Sequence, residues 1–259
     1  MRLTSTRRRV DQRVCARRCA AHHEFRAILF DFDGTIVDTD TPDFRAWAAE
    51  FERHGLVLDP AWWLRHLGAQ GDGTICVERI VRELGHEIDR AAVMSRHDSA
   101  LDDLVRAEPA RPGVRDLLEA SARSGMTNAV VSSASRHWVS RQLQRLGLTG
   151  FFSLLVTRED SERHKPDPAP YLLAEQRLGL GSGAAFAVED SLVGLRSAEG
   201  AGVPCLYVPP TMASDAAHAE AEFEVDTLAN LDLADLLASM GSTFDCQVAD
   251  SRRRSGGHR

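Results

Sequence analysis

Short apolar runs that end in small polar or acidic residues recur along the chain. The first covers residues 27–30, and comparable runs follow at 128–131, 151–156, 184–188 and 205–208. A short, continuous apolar run is typical of a strand that is buried on both faces of a parallel sheet. The pattern therefore predicts five strands of one parallel sheet.

Helical patterns separate the later runs. They cover residues 114–124, 138–146, 170–178 and 192–201, and each is followed by a glycine, at positions 125, 147, 179 and 202. Glycine commonly follows the last turn of a helix, because it adopts left-handed backbone angles without a steric penalty. Strands and helices that alternate at this spacing predict an α/β fold with a doubly wound, Rossmann-like parallel sheet.

The region from residue 39 to residue 110 interrupts the alternation. It contains helical patterns at 44–54, 62–66, 75–84 and 91–107, and no convincing strand pattern. The stretch 108–113, which has two prolines and a glycine, marks the return to the sheet. We therefore predict an α-helical cap at 39–110, inserted into an α/β core. The predicted units are the core at 26–38 and 111–240, the cap at 39–110, a disordered basic tail at 1–25 and a C-terminal tail at 241–259.

Charge is distributed unevenly along the chain. The 259 residues carry a net charge of −7, but residues 1–25 carry +5 and residues 251–259 carry +4, which leaves −16 for residues 26–250. A body this acidic argues against nucleic-acid binding through its surface. The basic tails are low in hydrophobic residues, and we expect them to be solvated extensions.

The sequence favours a cytoplasmic location. No run approaches the roughly 20 apolar residues that span a bilayer, and the N-terminus lacks the apolar segment of a secretory signal. Five scattered cysteines make a poor disulfide framework and fit a reducing compartment. The arginine-rich N-terminus is also similar to a transit peptide, although a misplaced start codon would give the same pattern. We expect no membrane association and a monomer, because nothing in the sequence indicates an obligate assembly.

Two aspartates follow the first predicted strand. Asp31 and Asp33 come directly after the run 27–30, and Gly34 ends the segment. Ligands of an open parallel sheet bind outside the carboxyl ends of its strands, so this position suits chemistry rather than packing. Taken alone, the segment is more often a simple acidic turn.

Other polar residues follow the ends of three further predicted strands. They are Ser132, Ser133, Lys165, Glu189 and Asp190. In a parallel sheet, these residues and the two aspartates lie at one edge. The inserted cap leaves the core at the same edge, where it is placed to act as a lid.

Four carboxylates at one edge imply a cation. Two like charges about 4 Å apart repel by about 4 kcal/mol at an effective dielectric constant near 20, so such a cluster needs a cation or a retained proton. Oxygen ligands without histidine or cysteine favour Mg²⁺ over zinc, and Mg²⁺ commonly bridges carboxylates to a phosphate. Lys165 would then hold the nucleophile and offset the charge of the phosphoryl oxygens.

These residues resemble the four motifs of the haloacid dehalogenase superfamily, in its phosphatase and β-phosphoglucomutase-like branch. The motifs occur in order as Asp-Phe-Asp-Gly-Thr at 31–35, Ser132, Lys165, and Glu-Asp-Ser at 189–191 followed by Gly194. The resemblance covers residues from about 26 to 237. It implies a helical cap that closes over the substrate and excludes water.

The resemblance also implies a mechanism. Asp31 would attack phosphorus and form an aspartyl-phosphate, while Asp33 would protonate the leaving oxygen and then activate water. The dehalogenases that name the superfamily lack the second aspartate and need no metal. Asp33 therefore favours phosphoryl transfer over dehalogenation.

A metal site and a phosphate site follow from the same resemblance. The implied Mg²⁺ ligands are Asp31, the backbone carbonyl of Asp33, and Asp190, with Glu189 nearby or bound through water. The implied phosphate-binding residues are Ser132 and Lys165. Ser133 could share the role of Ser132.

Thr39 and residues 44–47 resemble the cap-entry segment of the mutase branch. Asp43, however, stands where mutases similar to this chain carry a histidine. A mutase must suppress hydrolysis of its phospho-enzyme, so this difference favours a phosphatase of a small phosphorylated metabolite, either a sugar phosphate or a phosphoglycolate-like compound. The alternatives are a sugar-phosphate mutase and a non-catalytic module that binds phosphorylated ligands.

Several cap residues could face the substrate. They are Trp62, Trp63, Arg65, His66 and Gln70. For the two tryptophans we favour packing within the cap, because large aromatic side chains dominate small helical cores.

Overall fold

The structure, a computed structural model, describes residues 24–66, 73–212 and 221–241. The two predicted tails, apart from residues 24, 25 and 241, and most of the glycine-rich stretch that contains Gln70 lie outside this part of the chain. Among the described residues, no helix is long and apolar enough to cross a bilayer.

The core is a six-stranded parallel sheet in the order β3-β2-β1-β4-β5-β6. The strands are β1 (Ala27–Phe30), β2 (Thr127–Val131), β3 (Leu154–Val156), β4 (Ala185–Glu189), β5 (Cys205–Tyr207) and β6 (Phe223–Glu224). The predicted α/β fold with a doubly wound parallel sheet is confirmed. The strand β6, only two residues long, has no counterpart among the predicted strands.

In the described part of the chain, eight helices connect or cover these strands, apart from a last helical segment near the end. They are α1 (Asp40–Arg53), α2 (Pro60–His66), α3 (Thr74–Leu84), α4 (Arg90–Val105), α5 (Val114–Arg123), α6 (Arg136–Arg145), α7 (Ala169–Leu178) and α8 (Leu192–Gly200). Residues 233–241 are also helical. The helices α1 to α4 all lie between β1 and β2 in the chain, where the sequence predicts an inserted cap.

The sheet is covered on both faces. Side chains of a strand alternate between the two faces, and in β1 the side chains of Ile28 and Phe30 join one hydrophobic cluster while those of Ala27 and Leu29 join another. All four residues are fully buried. This explains why the strand is a continuous apolar run rather than an alternating one.

The inserted helices have a hydrophobic core of their own. It is formed by Trp47, Phe51, Leu58, Trp63, Cys76, Val77, Ile80 and Val93. Trp63 is buried in this core, as the packing interpretation predicts. Trp62 stacks on His66 with ring centroids 4.3 Å apart, and the Arg79 guanidinium lies 4.4 Å from its ring.

The predicted third strand is too long at its start. Residues Thr149–Phe151 form a short 3₁₀ helix, and the strand begins only at Leu154. Phe152 packs edge-on against Phe30, with ring centroids 5.9 Å apart. Phe152 is partly buried against the core although it precedes the strand. The sequence shows only that it is apolar, so the predicted strand begins too early.

Candidate active site

The carboxyl ends of three neighbouring strands meet at the candidate site. Phe30 of β1 lies level with Val130 of β2 and with Val188 of β4. The residues that follow in each strand are therefore level as well, which places Asp31 beside Glu189. Ser132 and Asp190 follow one position further along the chain.

The loop after β1 requires glycine at position 34. Gly34 has a φ of +77°, in the left-handed region that favours glycine. A Cβ atom at this position would overlap the carboxylate of Asp190. The two guanidinium nitrogens of Arg111 donate to the backbone carbonyls of Gly34 and Pro209, and the second of these distances is 2.8 Å. Arg111 thereby ties the aspartate loop to the segment after β5.

Three buried carboxylates form a cluster at this edge. Asp31, Glu189 and Asp190 each offer an oxygen, and these oxygens all lie within 4.8 Å of one another. Burial raises the pKa of Asp190 well above its usual value, and the carboxylates of Asp40 and Asp31 raise it further. A cluster of this kind is stable at neutral pH only with a cation or with retained protons.

The donor set fits a magnesium ion. All three groups are carboxylates, the ligand type that Mg²⁺ prefers. Asp40 lies within hydrogen-bonding reach of Asp190, yet its buried Oδ2 has no hydrogen-bond partner among the described residues. Burial and neighbouring carboxylates raise the pKa of Asp40 to about 7. A buried, unpartnered carboxylate oxygen beside the cluster suits a ligand of a cation.

Lys165 sits between two of the carboxylates. Its Nζ lies 2.6 Å from Oδ1 of Asp31 and 2.6 Å from Oε1 of Glu189, and only 5% of its side chain is exposed. Burial alone would lower the pKa of Lys165, but the two carboxylates outweigh it and raise the pKa above its usual value. The ammonium group is therefore a fixed positive charge that orients Asp31.

Glu189 has a second donor. The hydroxyl of Tyr171 donates to the same Oε1 atom that Lys165 contacts. Burial raises the pKa of Glu189 to about 7, although Lys165 acts against this shift. The other oxygen of Glu189 packs against Gly194, where any Cβ atom would overlap it. This close approach is a physical reason for a glycine at this point of α8.

Asp33 has a different environment from the other carboxylates. Its Oδ1 accepts a hydrogen bond of 2.9 Å from the indole nitrogen of Trp138, and its side chain is not part of the three-carboxylate cluster. Burial, and then the charge of Asp31, raise the pKa of Asp33 to about 6, while the Trp138 hydrogen bond lowers it. A carboxyl group with a pKa near 6 can donate and accept a proton near neutral pH.

The two predicted serines differ in accessibility. Ser132 is buried, and its Oγ accepts a 3.0 Å hydrogen bond from the backbone N–H of Ala134. Its hydroxyl hydrogen stays available for an acceptor such as a phosphoryl oxygen. Ser133 is exposed. The structure thus places Ser132, rather than Ser133, in the buried rim beside the carboxylates.

Four residues at the site are absent from the sequence-based set. They are Asp40, Arg111, Trp138 and Tyr171. Asp40 is an acidic residue close to the Asp31 segment, which is a signal that sequence reasoning could have used. Trp138 and Tyr171 occupy positions of helical patterns that predict only packing, so no local signal distinguishes them.

A family model matches most of the chain. The model described as "Haloacid dehalogenase-like hydrolase" matches residues 28–208, which include all seven predicted site residues.

Individual relatives extend the match over most of the chain. "Putative phosphatase YhcW" of Bacillus subtilis is 31% identical over 217 residues, which is 84% of this chain and 98% of that protein. "Hexitol phosphatase A" of Escherichia coli is 32% identical over 183 residues, or 71% of this chain and 82% of that protein. The crystal structure of CbbY from Rhodobacter sphaeroides in complex with phosphate superposes with a TM-score of 0.65 at 30% identity, covering 82% of this chain and 99% of that one.

Proposed function

Because the chain belongs to the haloacid dehalogenase-like hydrolase family, we propose that it dephosphorylates a small metabolite with the help of Mg²⁺ and through an aspartyl-phosphate. The chain is a phosphoric monoester hydrolase. The metal, the covalent intermediate, the substrate and the individual residue roles are the content of the proposal. We place the α-helical cap at 39–110 and the core at 26–38 and 111–240.

The observation that carries the proposal is the position of the Lys165 ammonium group, 2.6 Å from both Asp31 and Glu189. This contact restricts the rotation of Asp31 and places a positive charge beside its carboxylate. A carboxylate held in this way at the open end of a parallel sheet is suited to act as a nucleophile.

In the first step, an oxygen of Asp31 attacks phosphorus, and the bond from phosphorus to the leaving oxygen breaks. Asp33 transfers its proton to that oxygen, which departs as an alcohol. In the second step, Asp33 takes a proton from water, the water oxygen attacks phosphorus, and the bond from phosphorus to Asp31 breaks. Inorganic phosphate is released, and Asp31 and Asp33 return to their starting states. The raised pKa of Asp33 suits both proton transfers.

Asp31, Asp190 and the backbone carbonyl of Asp33 would hold the magnesium ion, with Glu189 nearby or bound through water. When bound, Mg²⁺ supplies positive charge to the phosphoryl oxygens. Ser132 would donate its hydroxyl hydrogen to a phosphoryl oxygen, and Lys165 would offset the charge of the transferred group. Ser133, which is exposed, would take a smaller part in binding.

A sugar phosphate or a phosphoglycolate-like compound is the proposed substrate class. The E. coli relative named for hexitol phosphates supports the first of these. The cap encloses whatever the phosphoryl group is attached to, so the cap residues rather than the carboxylate cluster would select the leaving group.

The first test is hydrolysis of p-nitrophenyl phosphate by the purified full chain, with Mg²⁺ or with EDTA. We expect release of phosphate only with Mg²⁺, and none from Asp31→Asn, which keeps the shape of the side chain but not its nucleophilic charge. Undiminished turnover by Asp31→Asn would show that the mechanism is wrong. Binding of phosphate esters without any turnover would instead indicate a non-catalytic module.

The second test is a panel of phosphorylated metabolites, analysed for both products. A phosphatase releases inorganic phosphate in an amount equal to the alcohol formed. Formation of a hexose 6-phosphate from a hexose 1-phosphate, dependent on a bisphosphate activator, would instead identify a mutase.

A further inference from the structure

We propose that Asp43, held in place by His97, selects the leaving group by admitting neutral hydroxylated groups and disfavouring groups that carry an additional negative charge. This inference rests on the proposed phosphatase function and deepens it. It favours a sugar phosphate or sugar-alcohol phosphate over a phosphoglycolate-like substrate.

Asp43 lies where the cap meets the carboxylate cluster. It is in the first turn of α1, three residues after Asp40, so the two side chains lie on the same face of the helix and about 4.5 Å apart along its axis. Asp40 itself lies within hydrogen-bonding reach of Asp190 in the cluster. Asp43 is therefore about one helical turn further into the cap than Asp40. We place the leaving group on this side of the carboxylate cluster.

Asp43 lies close enough to the reacting groups for its charge to act on them. The carboxylates of Asp33 and Asp40 are both within reach of that charge.

His97 fixes the orientation of Asp43. The Nε2 atom of His97, in α4, lies 2.7 Å from Oδ1 of Asp43. The imidazole is buried and stacks on the ring of Trp47, with centroids 4.1 Å apart and an angle of 24° between the planes. Its Nδ1 atom lies 3.1 Å from Oδ1 of Asp98. With both nitrogens engaged and the ring packed, the imidazole holds Asp43 in one rotamer.

The Asp43 carboxylate is partly open to other groups. A third of the side chain is exposed, and the contact with His97 uses Oδ1, which leaves Oδ2 as a second acceptor. Such an oxygen can accept a hydrogen bond from a substrate hydroxyl. It cannot accept one from a carboxylate, which has no proton to donate at neutral pH, and a second phosphate is mostly doubly ionised at this pH.

The group formed by Asp43, His97 and Asp98 is negative in either state of the imidazole. With a neutral His97 its net charge is −2, and with a protonated His97 it is −1. A leaving group with its own negative charge is therefore repelled, whereas a neutral polyol is not. For like charges a few ångströms apart in partly solvated surroundings, we expect discrimination of about tenfold in kcat/KM.

The experiment compares substrates that differ only in this charge. One pair is 2-hydroxyethyl phosphate and phosphoglycolate, and the other is glycerol 3-phosphate and 3-phosphoglycerate. The wild-type enzyme should prefer the neutral member of each pair by about tenfold in kcat/KM. In Asp43→Asn, which keeps the shape but removes the charge, this preference should fall to about twofold or less.

The matched control is Asp103→Asn, which makes an equal change of charge. Asp103 lies at an exposed position of α4, the helix that carries His97, and it pairs with Arg106. This variant should leave the preference unchanged. If Asp43→Asn does not fold, the salt dependence of the wild-type enzyme provides the second measurement. The preference for the neutral member should decrease between 50 and 500 mM KCl, because salt screens the repulsion.

The possible failures are distinguishable. If the wild-type enzyme hydrolyses no member of either pair and no p-nitrophenyl phosphate, the proposed function itself fails. If it hydrolyses both members but prefers the acidic one, or if Asp43→Asn keeps the full preference, the phosphatase proposal stands and the role of Asp43 is wrong.

Discussion

The indole nitrogen of Trp138 donates a 2.9 Å hydrogen bond to Oδ1 of Asp33, and it thereby connects helix α6 to the loop that carries both aspartates. The Arg141 guanidinium lies 5.2 Å from the Trp138 ring, and Arg141 also pairs with Asp102 of α4. The orientation of Asp33 therefore depends on a side chain that is itself packed between the core and the inserted helices.

We expect Trp138→Phe to lower kcat for p-nitrophenyl phosphate by about tenfold, because the loss of a hydrogen bond to a charged group costs about 1.5 kcal/mol. The phenyl ring keeps most of the packing but has no N–H group to orient Asp33. Denaturant unfolding of the variant checks that it remains folded. An unchanged kcat in a folded variant would mean that Trp138 has no positioning role.

We expect Asp33→Asn to abolish turnover and yet to stabilise the metal-free protein at pH 7.5. The physical reason is the pKa of Asp33, which burial raises from 3.8 to about 6. Well below pH 3.8 the group is protonated in both the folded and the unfolded states. Between about pH 4 and pH 6 only the unfolded chain loses the proton, so the free energy of unfolding falls as the pH rises.

For a shift of this size, the gain from Asp33→Asn is about 3 kcal/mol at pH 7.5 and close to zero at pH 3.5. Urea unfolding in EDTA at the two pH values measures the difference. A variant less stable than the wild type at pH 7.5 would contradict the raised pKa of Asp33.

We expect Mg²⁺ to raise the Tm of the wild-type protein in a differential scanning measurement. The metal would relieve the repulsion among Asp31, Glu189 and Asp190, and at 100 times its Kd it would add about 2.7 kcal/mol to the free energy of unfolding. Asp190→Asn should lose this response, while its Tm in EDTA should be higher than that of the wild type.

The control for this experiment is Asp235→Asn, a change of an exposed aspartate among the helical residues 233–241. It should retain the full response to Mg²⁺. An equal response in Asp190→Asn and in the wild-type protein would place the metal elsewhere.

We expect Lys165→Met to destabilise the protein by about 3–5 kcal/mol, because it leaves two buried carboxylates without their shared cation. Adding Glu189→Gln to this variant removes one of those charges, so the double variant should recover part of the lost stability. Neither variant should hydrolyse p-nitrophenyl phosphate at a measurable rate. If the single and double variants unfold at the same urea concentration, the stabilising role of Lys165 between the two carboxylates is refuted.

Much of the fold is determined by local patterns in the sequence. The run 27–30 is apolar at every position because both faces of β1 are covered, and the sequence alone predicts this burial. The predicted parallel sheet and the helices between its strands follow from such runs. The start of β3 cannot be predicted in this way, because Phe152 is apolar but packs on Phe30 from a position before the strand.

The candidate site is only partly contained in the sequence. Asp31, Lys165, Glu189 and Asp190 can be proposed from their motifs, because strand ends and short spacing are local properties. Their grouping within a few ångströms is a property of the parallel register.

The partners of these residues are decided by tertiary structure alone. The hydrogen bond from Trp138 to Asp33 spans 105 positions of the chain, and the contact between His97 and Asp43 spans 54. An indole or an imidazole in a helical pattern predicts packing, and no local rule states which carboxylate it will meet. The sequence thus determines which groups can do chemistry. The packing of the helices decides their pKa values, their orientation and the leaving group that we propose they accept.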